Sequence, residues 1–561
     1  MIKVREKIEC CDFLVVGGGM GGLEAAIAAA SGGADVIVAE KHNTLRSGCG
    51  ANGNDHFLCY IPEIHGEDME LVLREVGNTL DGGPWVDIDL TRVLLQHTKE
   101  VVDRWESYGI NMRPTGKYVF EGHSLPGQQL YHLKFDGKKQ KGCLTQAAKD
   151  AGARLMNHVL INEILVKDGR VAGAIGVDIS EEEPEMVLFQ CKAAILCAGM
   201  GLRLYPQQNP TYMFNLPGCP ADVGSGHSMA LRAGAKLVNI DIPNVHAGPK
   251  YFMRGGKGTW IGISSTIDGK PVTPYVTGKP SRATGDVTAD VWPSVYLDKM
   301  LDGTGPVFMN CTELDDDDVE YMRWAFECEG IGSIFEYFDQ RGIDIQKEMI
   351  EFGVFNCTMN NVGVEINEKA ESSLPGLYAA GNQVGNVRGN LAGAAVFGML
   401  AGRSAAEYVK TVAHQSIEDI PLVEEKKALF SAIWDRVDGA HWKEPASTLQ
   451  QIMNDYAPAL KPRTENLFRV CIKYLADLKK LCYTELMAEN SHEFMRCLEV
   501  LDQIDLGEAV AVTGRHRKES RGRHQRADYK FTDLTLNNKF MVVHKDGAGE
   551  YHMEYRPRHM R

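Results

Sequence analysis

Residues 11–41 read CDFLVVGGGMGGLEAAIAAASGGADVIVAEK. Phe13 to Val16 is a short apolar run suited to a buried parallel strand, and Leu23 to Ala30 is a small-residue segment that predicts a helix lying close to a sheet. Between them Gly17, Gly19 and Gly22 form G-x-G-x-x-G. The first glycine permits the tight turn, the second lets backbone approach a pyrophosphate, and the third lets helix and strand touch. Met20 and Gly21 open the helix, whose free N–H groups suit an anion. A second strand, VIVA, ends in Glu40 and Lys41, where a carboxylate can accept from ribose hydroxyls. Strand, turn, helix, strand and acid together predict a Rossmann-like α/β unit that binds a dinucleotide.

The same fingerprint serves NAD and FAD. Residues 376–403, GLYAAGNQVGNVRGNLAGAAVFGMLAGR, decide between them. An apolar strand runs into Gly381 and Asn382, then a glycine-rich turn, then a small-residue helix. This is similar to the second flavin-contacting segment of two-dinucleotide-fold flavoproteins, in which a helix N-terminus stabilises negative charge on the reduced ring. FAD is the expected cofactor.

Bulk properties narrow the classes further. The 561 residues are 44% hydrophobic with net charge −15, which suits a large globular protein and opposes general affinity for nucleic acid or anionic membrane. No C-x-x-C pair occurs among the 14 cysteines, so neither an iron–sulfur cluster nor a metal site is expected on this chain. The N-terminus lacks a signal-peptide pattern and no apolar run is long enough to span a bilayer, so a cytoplasmic protein without a membrane span is expected. One stretch runs against the acidic balance: residues 514–530, GRHRKESRGRHQRADYK. A nucleic-acid arm, a solvated basic surface and an internal charge network are its possible readings.

KHNTLRSGCGANGN at 41–54, AAILCAGMG at 193–201, SMALRAGAKLVNIDIPNVH at 228–246, NCTMNNVGVEI at 356–366, LPGLYAAGN at 374–382 and KESRGRHQRADY at 518–529 follow one another along the chain. In that order they resemble the flavoprotein subunits of the succinate dehydrogenase and fumarate reductase superfamily, with the adenylylsulfate reductase alpha-subunit branch nearest. The resemblance implies an α/β fold: a glutathione-reductase-type FAD-binding domain at 1–215 and 345–412, an inserted α+β capping domain at 216–344, a helical domain at 413–510 and a C-terminal domain at 511–561. It also implies flavin contacts at Gly17, Gly19, Met20, Gly21, Gly22, Glu40, Lys41, Arg46, Ser47, Gly48, Asn52, Gly53, Val159, Ala198, Gly199, Ser225, Gly381, Asn382, Asn390 and Leu391. The basic stretch then reads as an internal network of Glu519, Arg521, His524, Arg526 and Asp528.

Departures from the family pattern carry the functional reading. Gly48 stands where many members have a flavin-linking histidine, so FAD is expected to be non-covalent; Cys49 beside it is either a small buried thiol or an alternative link. His246 falls on one substrate histidine, but Asn356 occupies the position of the second. Gly285 to Asp290 matches the segment that supplies a proton-shuttling arginine elsewhere, and no arginine is present. Arg388 and Arg254 are the remaining candidates to hold an anionic substrate, with His246 to orient or protonate it. The resemblance therefore implies the catalytic FAD subunit of an oxidoreductase acting on a small polar or anionic molecule other than fumarate or succinate. Electrons would pass to a ferredoxin-like iron–sulfur partner subunit carrying 4Fe–4S clusters. Two alternatives stand beside it: an adenylylsulfate reductase alpha subunit with sulfite and AMP chemistry at flavin N5, and an FAD electron carrier with no substrate of its own. The acid run Asp315 to Asp318 reads as a solvated helix start or a cation site.

Overall fold

The computed structural model describes residues 1–78, 86–206, 216, 218–250, 259–272, 279–285, 294–388 and 390–558. Its centre is an eight-stranded sheet in which Arg154–Asn157, Val36–Glu40, Glu9–Val16, Glu185–Leu196, Arg170–Asp178 and Val159–Lys167 lie side by side. Leu377–Ala379 and Lys3–Val4 also pair with Glu185–Leu196. The strands from 9, 36, 154, 185 and 377 run parallel, and those from 159 and 170 add an antiparallel meander. Phe13 to Val16 and Val36 to Glu40 are buried throughout, as expected for strands covered on both faces.

Two helices close against one another on this sheet. Met20–Ser31 is met by Leu391–Tyr408, and glycines set the distance. A Cβ added at Gly398 would stand 2.2 Å from the carbonyl oxygen of Gly21, and one at Gly402 would stand 2.3 Å from that of Ala25. The alanine- and glycine-rich composition of both segments follows from this close approach.

A separate four-stranded antiparallel sheet runs in the order Asn244–Pro249, Ile350–Thr358, Val307–Asn310, Ile263–Ser265. Trp260 anchors it, edge-on to Phe326 at 5.1 Å and to Phe352 at 5.2 Å. The inserted unit was expected to end at 344, but Ile350–Thr358 hydrogen-bonds along the outgoing strand Asn244–Pro249 and so continues this sheet. Strand patterning marks such a segment without revealing its partner. Within the expected unit of 216–344, Leu237–Val238 pairs with Gly363–Val364 and with Lys539–Lys545 of the C-terminal hairpin, whose second strand is Tyr551–Pro557.

The helices Pro421–Trp434, Lys443–Tyr456, Glu465–Glu485 and Ser491–His516 make up most of the next stretch. The last crosses the expected border at 510 and is buried along nearly its whole length, charged Glu499, Asp502 and Asp505 included. The basic stretch that follows turns inward. Arg517 donates from Nε to Asp241 Oδ2 at 2.8 Å, and His524 Nδ1 lies 2.9 Å from the same oxygen. Arg521 bonds Glu519, and Arg526 bonds Asp528 through two nitrogens at 2.7 Å. Asp241, just before the strand Asn244–Pro249, is the central anion of this network. Burial opposes its charge, yet Arg517 and His524 hold its carboxyl far below the usual range. The acid run resolves as a helix start: Asp315 caps Asp316–Cys328 by accepting from the Asp318 N–H at 2.8 Å.

Candidate functional site

A cavity of about 500 Å³ opens where the glycine turn, the second glycine segment and the cap sheet meet. The turn is shaped by exclusion. A Cβ at Gly17, where φ is +100°, would come 2.5 Å from the Cys197 carbonyl oxygen, and one at Gly22 would come 1.9 Å from that of Gly17. At Gly19 the nearest atom would be 3.9 Å away, so the missing side chain there leaves room on the cavity side. Three helices begin at the wall, at Met20, Ser225 and Leu391. Each presents N–H groups that have no partner within the helix, which suits an anionic ligand. Asn390 caps the third by accepting from Gly393 N–H at 3.0 Å.

Glu40 ends its strand with both oxygens on backbone, accepting from Gly18 N–H at 2.7 Å and His42 N–H at 2.8 Å. Lys41 bonds Glu499 and the Ala221 carbonyl, each at 2.6 Å. Burial works against Glu499, but Lys41, Arg203 and Arg496 keep its carboxyl far below the usual range. Gly17, Gly19, Met20, Gly21, Glu40, Lys41, Arg46, Ser47, Gly48, Asn52, Gly53, Val159, Ala198, Gly199, Ser225, Gly381, Asn382, Asn390 and Leu391 all line the cavity, while Gly22 sits behind the wall. The arrangement fits an extended dinucleotide such as FAD: a glycine cradle, three converging helix N-termini and an acid at a strand end. Gly48 has φ +80°, and Cys49 donates its thiol hydrogen to Asp222 Oδ2 at 3.2 Å.

Arg388 also lines the cavity, and burial pulls its guanidinium down to about 10. His246 and Asn356 are directly opposed in the register of the cap sheet, the strand slipping by one residue just after His246. The side chains of both, together with Arg254 and residues 286–290, lie outside the described residues.

The sequence reading missed a group of side chains at the cap side of this cavity. His56–Leu58 pairs antiparallel with His132–Lys134, setting His56 opposite Lys134. His56 and His123, both on the cavity wall, have ring centroids 4.1 Å apart, and His123 and His132 are 4.5 Å apart. Asp55, fully buried, meets His56 Nδ1 with Oδ1 at 2.5 Å. Its other oxygen accepts from Lys134 Nζ at 2.8 Å and Thr259 Oγ1 at 2.7 Å. Burial opposes the Asp55 charge, but Lys134 and His56 outweigh it and hold the carboxyl well below the usual range. Burial lowers the His56 imidazole despite the pull of Asp55. It lowers His123 further, with His56 and His132 adding to the effect. Glu329 brings an oxygen within 4.8 Å of the donor atoms of Asp55 and His56. The signal was present in GNDHFL and YHLKF, where charged and imidazole residues interrupt apolar strand runs. Only the pairing of these two strands, distant in the chain, makes it a cluster.

Comparison with known proteins agrees with this geometry. Residues 12–397 match the family described as FAD binding domain, and residues 446–561 match Fumarate reductase flavoprotein C-term. One of the subunits of the CoM/CoB fumarate reductase of Methanothermobacter marburgensis is 26% identical, the match covering 94% of this chain and 97% of that one. Among solved structures, adenylylsulfate reductase from Archaeoglobus fulgidus superposes with a TM-score of 0.84 at 22% identity, over 99% of this chain and 96% of that one. The E. coli quinol fumarate reductase flavoprotein gives 0.79 at 21% identity, over 99% and 98%. No described helix is long and apolar enough to cross a membrane. The chain belongs to the FAD-binding-domain family and is an FAD-dependent oxidoreductase of the succinate dehydrogenase and fumarate reductase superfamily.

Proposed function

We propose that this chain is the catalytic FAD subunit of a heteromeric iron–sulfur flavoenzyme that oxidises or reduces a small polar or anionic substrate by two electrons, and that fumarate and succinate are not that substrate. The observation that carries the reading is the opposition of His246 and Asn356 in the cap sheet, where a dicarboxylate clamp of the family kind would have two histidines. With the second cation absent and no arginine in residues 285–290, one carboxylate would lack its partner. Removing a positioned charge and a proton donor costs orders of magnitude in rate.

The helix starts at Met20, Ser225 and Leu391, with Glu40 and Lys41, would hold FAD, which supplies hydride acceptance and donation when bound. The holding is non-covalent in this reading, because Gly48 offers no ring nitrogen and the Cys49 thiol is turned to Asp222. Arg388 would bind the negative group of the substrate. Electrons would leave to a ferredoxin-like subunit with 4Fe–4S clusters, since the chain has no cysteine pair suited to a cluster, and its relative in M. marburgensis is itself named as part of a multi-subunit enzyme.

The test is anaerobic reduction of the purified protein, acid precipitation to see where the flavin goes, and reoxidation by a panel of fumarate, adenylylsulfate and other unsaturated acids, with sulfite plus AMP tried as a reductant of the oxidised protein. Flavin in the supernatant and fast reoxidation by a compound other than fumarate are expected. Reoxidation by fumarate at an ordinary rate would overturn the substrate reading. Selective response to sulfite with AMP would identify an adenylylsulfate reductase. Reoxidation by an iron–sulfur protein alone would identify an electron carrier.

A further inference from the structure

We infer that His56 is the acid–base residue of the redox step, oriented by Asp55, with the rings of His123 and His132 packed against it. The inference rests on the cavity being the redox site. It assigns the proton chemistry that the missing arginine leaves unassigned.

The geometry orders the parts. Asp55 uses one oxygen for His56 Nδ1 and the other for Lys134 and Thr259, so its position is fixed from three sides. An ionised carboxylate only accepts, which places the hydrogen on Nδ1 of His56 and leaves the lone pair on Nε2. Nε2 has no hydrogen-bond partner among the described residues, and about a quarter of the His56 side chain is exposed, on the cavity wall. A fixed Nδ1–H with an open Nε2 is the arrangement of a general base.

In the oxidising direction, Nε2 takes the proton of a substrate X–H bond. The electron pair of that bond becomes the new C=X bond as the adjacent carbon loses hydride, for which FAD, when bound, would supply the two-electron acceptor. The imidazolium formed has N–H on both nitrogens and lies against the Asp55 carboxylate. In reduction the proton returns from Nε2 to X. The groups facing His56 are Asp55, Lys134, His123, His132 and Glu329. Of these, Asp55 favours a proton on His56, while burial, Lys134 and His132 oppose it. The Lys134 side chain is 2% exposed, which makes its pairing with Asp55 insensitive to salt.

The experiment uses the FAD-loaded protein and has two readouts. Diethyl pyrocarbonate acylates unprotonated imidazole nitrogen, and peptide mass spectrometry reports it site by site. His56 is expected to react along a single pH titration, and Asp55→Asn to move that midpoint to lower pH, with flavin content unchanged. No acylation of His56 in the wild-type protein, or an unmoved midpoint in Asp55→Asn, would overturn the inference. In single turnover with the substrate identified by the panel above, His56→Gln is expected to lose about 100-fold or more in rate with its solvent isotope effect, while reduction by dithionite is unchanged. A rate within threefold of wild type would overturn the assignment while the FAD reading stands. Failure of the wild-type chain to bind FAD would instead sink the reading beneath it. Loss of wild-type activity to a chelator, restored by a divalent ion, would also overturn it, since Asp55, His56 and Glu329 would then hold a cation.

Discussion

Gly19 and Gly22 stand three positions apart in one turn and are glycine for opposite reasons. A methyl at Gly22 would collide with backbone at 1.9 Å, whereas at Gly19 it would enter the space on the cavity side. Gly22→Ala is expected to cost about 3 kcal/mol or more, since backbone rather than a flexible side chain must move. Gly19→Ala should leave the melting temperature of the apoprotein within about 2 °C and reduce FAD retention at least tenfold. Melts of flavin-free protein and the flavin-to-protein absorbance ratio after desalting separate the two outcomes; equal behaviour of the two variants would refute the distinction. Asp241 supports a second expectation. Asp241→Asn removes the negative charge between Arg517, whose side chain is 1% exposed, and His524, leaving Glu519 at 3.3 Å as the carboxylate against Arg517. A loss of about 3–5 kcal/mol in urea unfolding is expected, and a loss below 1 kcal/mol would show that the network relaxes. These residues also mark what is readable in a sequence. The turn glycines are legible because their constraint is local, a sign of φ or a contact within a few residues. Asp241, Asp55 and His56 are not, because each takes its meaning from a partner far along the chain.

Between elements, spacing was legible and partnership was not. Leu391–Tyr408 announces a close-packed helix by composition, yet nothing in it names Met20–Ser31 as the neighbour. The structure does, through Gly398 against Gly21, Gly402 against Ala25 and Ala406 against Gly32. On Leu391–Tyr408 these contacts recur every four residues, one ridge of that helix set against Met20–Ser31 and the Gly32 that caps it. Both helices begin at the cavity wall, so their separation and the width of the cavity's floor are one variable. Gly402→Val should therefore lower stability by about 1–3 kcal/mol and weaken FAD binding in the same protein. Arg403→Ala, one residue on, removes an ion pair with Glu100 whose side chains are 45% and 38% exposed. It should change stability by less than about 1 kcal/mol and leave FAD binding alone. Denaturant midpoints and FAD titration of the two variants provide the comparison, and tight FAD binding by Gly402→Val would break the link. The same blindness to partners applies to the cap sheet, where only the register of Ile350–Thr358 with Asn244–Pro249 joins the two strands.

At the scale of the molecule, the response to acid is a sum of opposing groups that composition does not show. His227 is 1% exposed with Nε2 on the Val362 carbonyl, and burial pushes its imidazole down to about 4; burial and Lys41 bring His42 to about 4 as well. Unfolding restores both to about 6.5, so the unfolded chain binds their protons first. Their stability is fully present above about pH 6.5 and is lost as pH falls toward 4. Asp502 acts in the other direction, because burial raises it to about 6 despite Arg232. The native state binds that proton more readily, which offsets part of the loss over the same range. Glu499 and Asp505, held low against burial chiefly by Lys41 and Arg232 respectively, add a further loss once pH passes below about 4.5. Net stability should therefore decline gently from pH 6.5 to 4.5 and steeply below. His227→Gln removes one of these histidine contributions. It should be less stable than wild type at pH 7.5, yet its decline between pH 6.5 and 4.5 should be shallower by up to about 1.4 kcal/mol per pH unit. Thermal melts at fixed ionic strength across that range provide the test. A parallel decline in the two proteins would mean that His227 titrates in the fold as it does in water, and that its burial does not couple protons to folding.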